Sequence, residues 1–233
     1  MATETLAVPI FVHGLWHGAW AWDETRAALA ARGVPSHAVE LPLTSLKDDV
    51  AALDAVLDTI PGDVVLIGHS YGGVVITAVQ PRRGLRHLVY LTAYQVDEGE
   101  SMANVFPDLE LGPPALGPAI QRDKERGISM LDPVIARDVL YNGVPDELAD
   151  AAIARLRPSA LALFRETPGV TSWRTVPSTY VVCAEDRALV AKLQRAMADR
   201  ATTTVEWPVG HSPAAACPEQ IADLVELRAA AAP

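Results

Sequence analysis

The sequence of 233 residues predicts an α/β fold: a mostly parallel sheet with helices on both faces and an inserted, partly helical cap. Three observations predict it. Short apolar runs rich in β-branched residues, such as V-V-L-I at 64–67 and Y-V-V-C at 180–183, alternate with stretches whose apolar positions recur at helical spacing. Several runs close on glycine or proline, as at Gly14, Pro42 and Gly68. The alternation stops once, between about Tyr94 and Pro177, and then resumes.

Taken in order, A-V-P-I-F-V at 7–12 reads as the first buried strand, stopping at His13-Gly14. The loop H-G-L-W-H-G-A-W follows, and then a helix from about Trp20 to Ala31. S-H-A-V-E-L at 36–41 is a second short strand. Ser45 is placed to cap the next helix, in which Val50, Leu53, Val56, Leu57 and Ile60 share a face; Pro61-Gly62 ends it. A strand at 64–69, a turn at Ser70 and a helix at 71–82 come next. Arg82, Arg83 and Arg86 surround Gly84, where cations and a glycine suit a helix end, and a strand follows at 86–92.

Residues 95–177 are read as a cap inserted into a single domain that spans 1–233. A loop of that length without structure of its own is uncommon in a compact domain, and the stretches around 132–141 and 145–156 have helical character. Past the insertion come a strand at 178–184, a helix at 188–198, a strand at 202–207 and a closing helix at 218–230. No internal repeat is present, and the only low-complexity tract is the Ala-rich tail.

Half of the residues are apolar, enough for a sizeable core. A net charge of −10 without a basic run argues against nucleic acid or an anionic membrane as partner. Cys183, in an apolar strand, and Cys217, at a helix start, read as buried thiols rather than a bridge. The opening M-A-T-E-T-L lacks the basic and apolar regions of a secretory leader, and no apolar stretch has the length of a membrane span. The expected location is the cytoplasm.

The chemistry centres on G-H-S-Y-G at 68–72. A strand, a very tight turn and a helix form the setting in which G-x-S-x-G carries a nucleophile: Ser70 is lifted above the sheet, and Gly68 and Gly72 permit close backbone approach. A serine needs a base and an acid that orients the base. His211, in V-G-H-S-P after the last strand, lies at the same sheet edge. His69 adjoins Ser70 but is turned away by the pleat, and His37 and His87 lie at strand starts. For the acid, E-D-R offers Glu185 and Asp186, and D-E-G-E offers Asp97 and Glu98. Asp186 preserves the chain order Ser, Asp, His; Asp97 is the principal alternative.

Negative charge developing on the substrate needs donors. The amides of Tyr71 and Leu15 are placed for that role, with Gly14 letting the backbone come close. His13 and His17 have neither an H-E-x-x-H helix nor a nearby carboxylate, so no metal and no other cofactor is expected. Trp16, Tyr94, Met102, Phe106 and Phe164 are candidate walls of an apolar pocket.

Together, H-G-L-W-H-G-A-W, L-I-G-H-S-Y-G-G, V-V-C-A-E-D-R-A-L and V-G-H-S-P resemble the α/β-hydrolase superfamily, and within it the branch of plant methyl esterases, hydroxynitrile lyases and small bacterial esterases. The resemblance implies Ser70 as nucleophile, His211 as base, Asp186 as acid, and the amides of Leu15 and Tyr71 as the oxyanion hole. The implied reaction is hydrolysis of small, largely apolar carboxylic esters. Hydroxynitrile lyases of that branch typically carry Thr in place of Gly14 and Lys in place of Ser212, so this chain departs from them in the direction of a hydrolase. The same triad also serves lactone opening, elimination and acyl transfer, and the fold also serves non-catalytic small-molecule receptors.

Overall fold

A computed structural model describes residues 6–230 of the chain. The first five residues, most of the stretch read above as lacking a leader, and the last three of the Ala-rich tail lie outside the described residues. The first half of the sheet is built from β1 (Val8–Val12), β2 (His37–Val39), β3 (Val64–Ser70) and β4 (Leu85–Ala93). They alternate with α1 (Asp23–Ala31), α2 (Leu46–Leu57) and α3 (Gly72–Ala78). The insertion holds β5 (Ile120–Asp123), β6 (Ile128–Leu131), α4 (Pro133–Leu140), α5 (Asp146–Ile153) and β7 (Ser159–Ala160). The chain then returns through β8 (Ser178–Cys183), α6 (Ala191–Ala198), β9 (Thr203–Trp207), α7 (Pro213–Ala216) and α8 (Pro218–Ala230).

The main sheet has six strands in the order β2-β1-β3-β4-β8-β9, and every neighbouring pair is parallel. All six carboxyl ends therefore share one edge, where ligands of open α/β sheets bind. Alternation along β3 divides the core. Val64 and Leu66 join Leu88, Tyr90, Tyr180 and Val182 on one face; Val65 and Ile67 join Phe11, Trp22, Leu29 and Val225 on the other. Leu66 and Ile67 are fully buried, and such side chains contribute about 1.5–3 kcal/mol each. No described helix is long and apolar enough to cross a membrane.

Ser45 caps α2 as its position suggests, its hydroxyl accepting from the Asp48 amide at 3.1 Å. Three local expectations change. The helix after Ser70 stops at Ala78, with Val79 extended, rather than at 82; Pro81 cannot continue it because its ring would clash with the carbonyl of Thr77. Arg82 is thus no helix terminus. It reaches across to α2, where it pairs with Asp54 and with Asp58 at 2.9 Å, and Arg86 pairs with Asp63 at 2.8 Å. The insertion, read above as partly helical, also carries a small antiparallel sheet in the order β5-β6-β7. Its hairpin turns at Gly127, whose φ of +68° suits a residue without Cβ.

Candidate active site

Ser70 is the last residue of β3, and its φ of +52° lies in the left-handed region that non-glycine residues rarely adopt. Two glycines make that turn sterically possible. A Cβ on Gly68 would sit 2.6 Å from the carbonyl oxygen of Gly72, and one on Gly72 would collide with the carbonyl of Val12. Tyr71, with φ −55°, starts α3 immediately afterwards. Its phenol donates to Asp49 Oδ2 at 2.7 Å, and Asp49 Oδ1 accepts from the Leu43 amide at 2.7 Å. This buried pair anchors the residue next to the serine.

His211 lies in the loop between β9 and α7, buried, with Nδ1 2.7 Å from Asp186 Oδ2. With a carboxylate as acceptor, Nδ1 is the donor of this bond. Asp186 is itself fixed in the turn after β8. Its Oδ1 accepts from the amides of Ala188 at 2.7 Å and Leu189 at 2.8 Å, and its Oδ2 from the hydroxyl of Thr92 and from Gln194 at 3.3 Å. Asp97 is elsewhere, gripped by Arg174 at 2.6 and 2.8 Å, while Glu98 and Glu185 are exposed. Of the four acids weighed from the sequence, Asp186 is the one that meets His211.

The loop after β1 is tied at nearly every polar atom. His13 donates from Nδ1 to the Gly14 carbonyl at 2.8 Å and accepts at Nε2 from the Leu41 amide at 3.0 Å. His17 donates from Nδ1 to the Leu15 carbonyl at 2.7 Å and accepts at Nε2 from the Tyr141 hydroxyl, also at 2.7 Å. Burial pulls His13 down to about 3 and His17 down to about 4, so both rings are neutral. All four ring nitrogens are bonded to protein groups, and both rings help to hold this loop.

Trp16, at φ +62°, donates its amide to Ser159 Oγ at 2.8 Å and its indole N–H to Ser129 Oγ at 3.1 Å. Arg157 donates to the carbonyls of Trp16 and His17 at 2.9 and 2.7 Å. The insertion therefore clamps this loop. Among the described residues, the amides of Leu15 and Tyr71 have no acceptor. Gly14 brings the loop against the serine: a Cβ there would lie 2.9 Å from Ser70 Cβ and 3.4 Å from Ser70 Oγ.

Ser70 and His211 face one small cavity of about 50 Å³. Trp16, Tyr94, Met102 and Phe164 line it. Phe106 does not. It is drawn aside under the guanidinium of Arg200, 4.4 Å from its ring centroid, and Arg200 is held by Glu100 at 2.6 Å. Leu116, Leu140 and Leu189 complete the wall. Leu189 was findable, since it lies three residues beyond Asp186 at the same edge. Leu116, in a Pro/Gly-rich stretch, and Leu140, at the end of α4, carry no local signal for that position.

The sequence model described as "Alpha/beta hydrolase family" matches residues 10–224. The chain belongs to the alpha/beta hydrolase family. This α/β-hydrolase is 32% identical to "Alpha/beta hydrolase nvfD" of Aspergillus novofumigatus over 177 residues, covering 70% of this chain and 68% of the relative. It is 31% identical to "Carbendazim hydrolyzing esterase" of a Nocardioides species over 172 residues, 66% of this chain and 70% of that one. Among solved structures, a pyrethroid hydrolase from Sphingobium faniae superposes with a TM-score of 0.84 at 23% identity, covering 97% of this chain and 98% of that chain, a likeness of fold.

Proposed function

We propose that this α/β-hydrolase cleaves small, largely apolar carboxylic esters through an acyl-enzyme formed on Ser70. The observation that carries the reading is the Asp186–His211 hydrogen bond of 2.7 Å, whose imidazole faces the same cavity as a strained, glycine-flanked serine. A relative named as an esterase supports the reaction class.

In this mechanism His211 Nε2 takes the Ser70 proton as Oγ adds to the ester carbonyl carbon. Asp186 holds the Nδ1–H tautomer and stabilises the imidazolium that forms. The amides of Leu15 and Tyr71 receive the developing oxyanion, and losing one such donor typically costs about 3 kcal/mol of transition-state stabilisation. The imidazolium then protonates the departing alkoxide, and water repeats the sequence on the acyl-enzyme. The insertion acts as a cap that excludes bulk water.

Lyase chemistry is disfavoured by two contacts. A Cβ on Gly14 would lie 2.9 Å from Ser70 Cβ, so a threonine there requires the loop or the serine to shift. Ser212 donates to the Leu140 carbonyl at 2.7 Å, so it binds the loop to the insertion and supplies no cation. The test is turnover of p-nitrophenyl acetate by wild type and Ser70→Ala. The expected result is loss of activity by at least about 10⁴-fold with an unchanged circular dichroism spectrum, and retained turnover rejects the mechanism.

A further inference from the structure

The cavity that Ser70 and His211 face is too small for a whole ester: its volume of about 50 Å³ falls well below the roughly 300 Å³ at which small-molecule pockets begin. Beside it lies a larger cavity of about 220 Å³. The two share His17 and His69 as walls. Two consecutive pairs of residues straddle the partition. Leu140 and His211 face the small cavity, and Tyr141 and Ser212 face the large one. At His17 and His69 a single residue borders both spaces, and the hydrogen bond from the Tyr141 hydroxyl to His17 Nε2 belongs to this partition. His17 is neutral, so no charge blocks an apolar group from passing.

The large cavity is lined chiefly by Trp20, Leu148, Ala151, Ala152, Ala214 and Ala215, from the loop before α1, from α5 and from α7. Its rim is polar: the Arg155 guanidinium lies 4.7 Å from the Trp20 ring centroid and 3.5 Å from Asp23. An apolar cavity of ~150 Å³ accommodates benzene, so this one has room for a one- to two-ring arene. Part of its lining begins one residue after His211. Ser212, Ala214 and Ala215 continue the chain directly from His211, the residue that must hand a proton to the alkoxide.

We propose that this second cavity receives the aryl-sized alcohol portion of the ester, with Tyr141 and His17 as the partition that parts when substrate bridges the two spaces. The proposal rests on the ester-hydrolase reading above. It goes further by assigning the bulky half of the substrate to the leaving group and leaving a small acyl group beside Ser70.

Ala151, on the exposed side of α5, lines the large cavity and not the small one, so Ala151→Trp is the substitution chosen to fill it. Two esters of opposite sense are compared, 2-naphthyl acetate and methyl 2-naphthoate. The expected result is that wild type prefers 2-naphthyl acetate and that Ala151→Trp lowers the ratio of kcat/KM for 2-naphthyl acetate over methyl 2-naphthoate at least tenfold. Alongside, 2-naphthol binding to Ser70→Ala is followed by quenching of tryptophan fluorescence, and adding Ala151→Trp weakens it by a similar factor. A thermal melt establishes that the filled variant is folded; if it is not, the binding of 2-naphthol to Ser70→Ala decides. An unchanged or increased ratio, or no binding of 2-naphthol, overturns the cavity assignment while leaving ester hydrolysis intact. Full activity of Ser70→Ala on either ester instead overturns the hydrolase reading itself.

Discussion

His69 Nε2 lies 2.7 Å from the carbonyl oxygen of His211, so the residue before Ser70 donates a hydrogen bond to the backbone of the proposed base. The pleat turns this ring to the face opposite Ser70, where its centroid is 4.7 Å from that of His211 and 6.2 Å from Trp22. Burial holds His69 far below the ordinary histidine range and therefore neutral. In the proposed mechanism it acts through His211.

His69→Ala should lower kcat about tenfold, the equivalent of ~1.4 kcal/mol of barrier, with KM nearly unchanged. His69→Gln, which keeps a donor of similar reach, should recover most of that loss. Steady-state kinetics of the two variants on one ester decide it. Equal losses in kcat for both, or a loss confined to thermal stability, would remove the positioning role.

Asp186→Asn keeps the shape of the turn but replaces an acceptor by a group that can also donate, and so favours the wrong tautomer of His211. The expected drop in kcat is about 10³–10⁴-fold. Asp97→Asn should change kcat by less than twofold, since its carboxylate is engaged by Arg174. Comparable losses for the two substitutions would contradict the assignment of the acid.

What the sequence made legible, and what it hid, follows from how local each constraint is. The turn at Ser70 could be read from the spacing of Gly68 and Gly72, because the collisions that exclude a Cβ there arise within a few residues and a neighbouring strand end. The positions of His211 and Asp186 followed from the parallel order of strands, which puts every strand end on one edge. The walls of the cavity were harder. Phe106 looked as eligible as Phe164, and only the tertiary placement of Arg200 separates them. The β5–β6 hairpin was missed because I-Q-R-D is mostly solvent-facing and buries too little to impose a two-residue period. His69 was correctly seen as facing away from Ser70, yet its bond to His211 depends on where a loop 142 positions later comes to rest.

Gly14→Ala tests how tightly the loop after β1 is set against the serine. The added methyl would lie 2.9 Å from Ser70 Cβ, inside any ordinary contact. Either the loop retreats, carrying the Leu15 amide with it, or Ser70 rotates. Both should lower kcat/KM by about 10- to 100-fold, or ~1.4–2.8 kcal/mol. Overpacking of this kind also costs about 1–3 kcal/mol of stability, so the melting temperature should fall as well. Wild-type kcat/KM in this variant would mean that the Leu15 amide is not a donor to the transition state.

The buried histidines predict how stability depends on pH. His13, His17, His69 and His87 are all held below the ordinary value of 6.5 by burial, at about 3 for His13 and about 4 for His17 and His87. The unfolded chain therefore binds protons below about pH 6.5 that the native chain refuses until the pH is far lower. Stability is full above that value and is lost as pH falls towards 4. Each fully refusing histidine contributes a slope of about 1.4 kcal/mol per pH unit at most, and solvent access at His87 reduces its share. Asp49, raised by its own burial, works in the opposite sense; the interval set by His17 and His87 runs from about pH 4 to the ordinary 6.5. Urea unfolding across that interval should show a midpoint that drops steeply with acidification. In His13→Gln, whose amide can accept from Leu41 and donate to Gly14, the slope should be shallower by about 1 kcal/mol per pH unit. An identical slope in wild type and His13→Gln would mean that His13 is protonated in the native protein, and with it that the loop holding the Leu15 amide is not organised by a neutral imidazole.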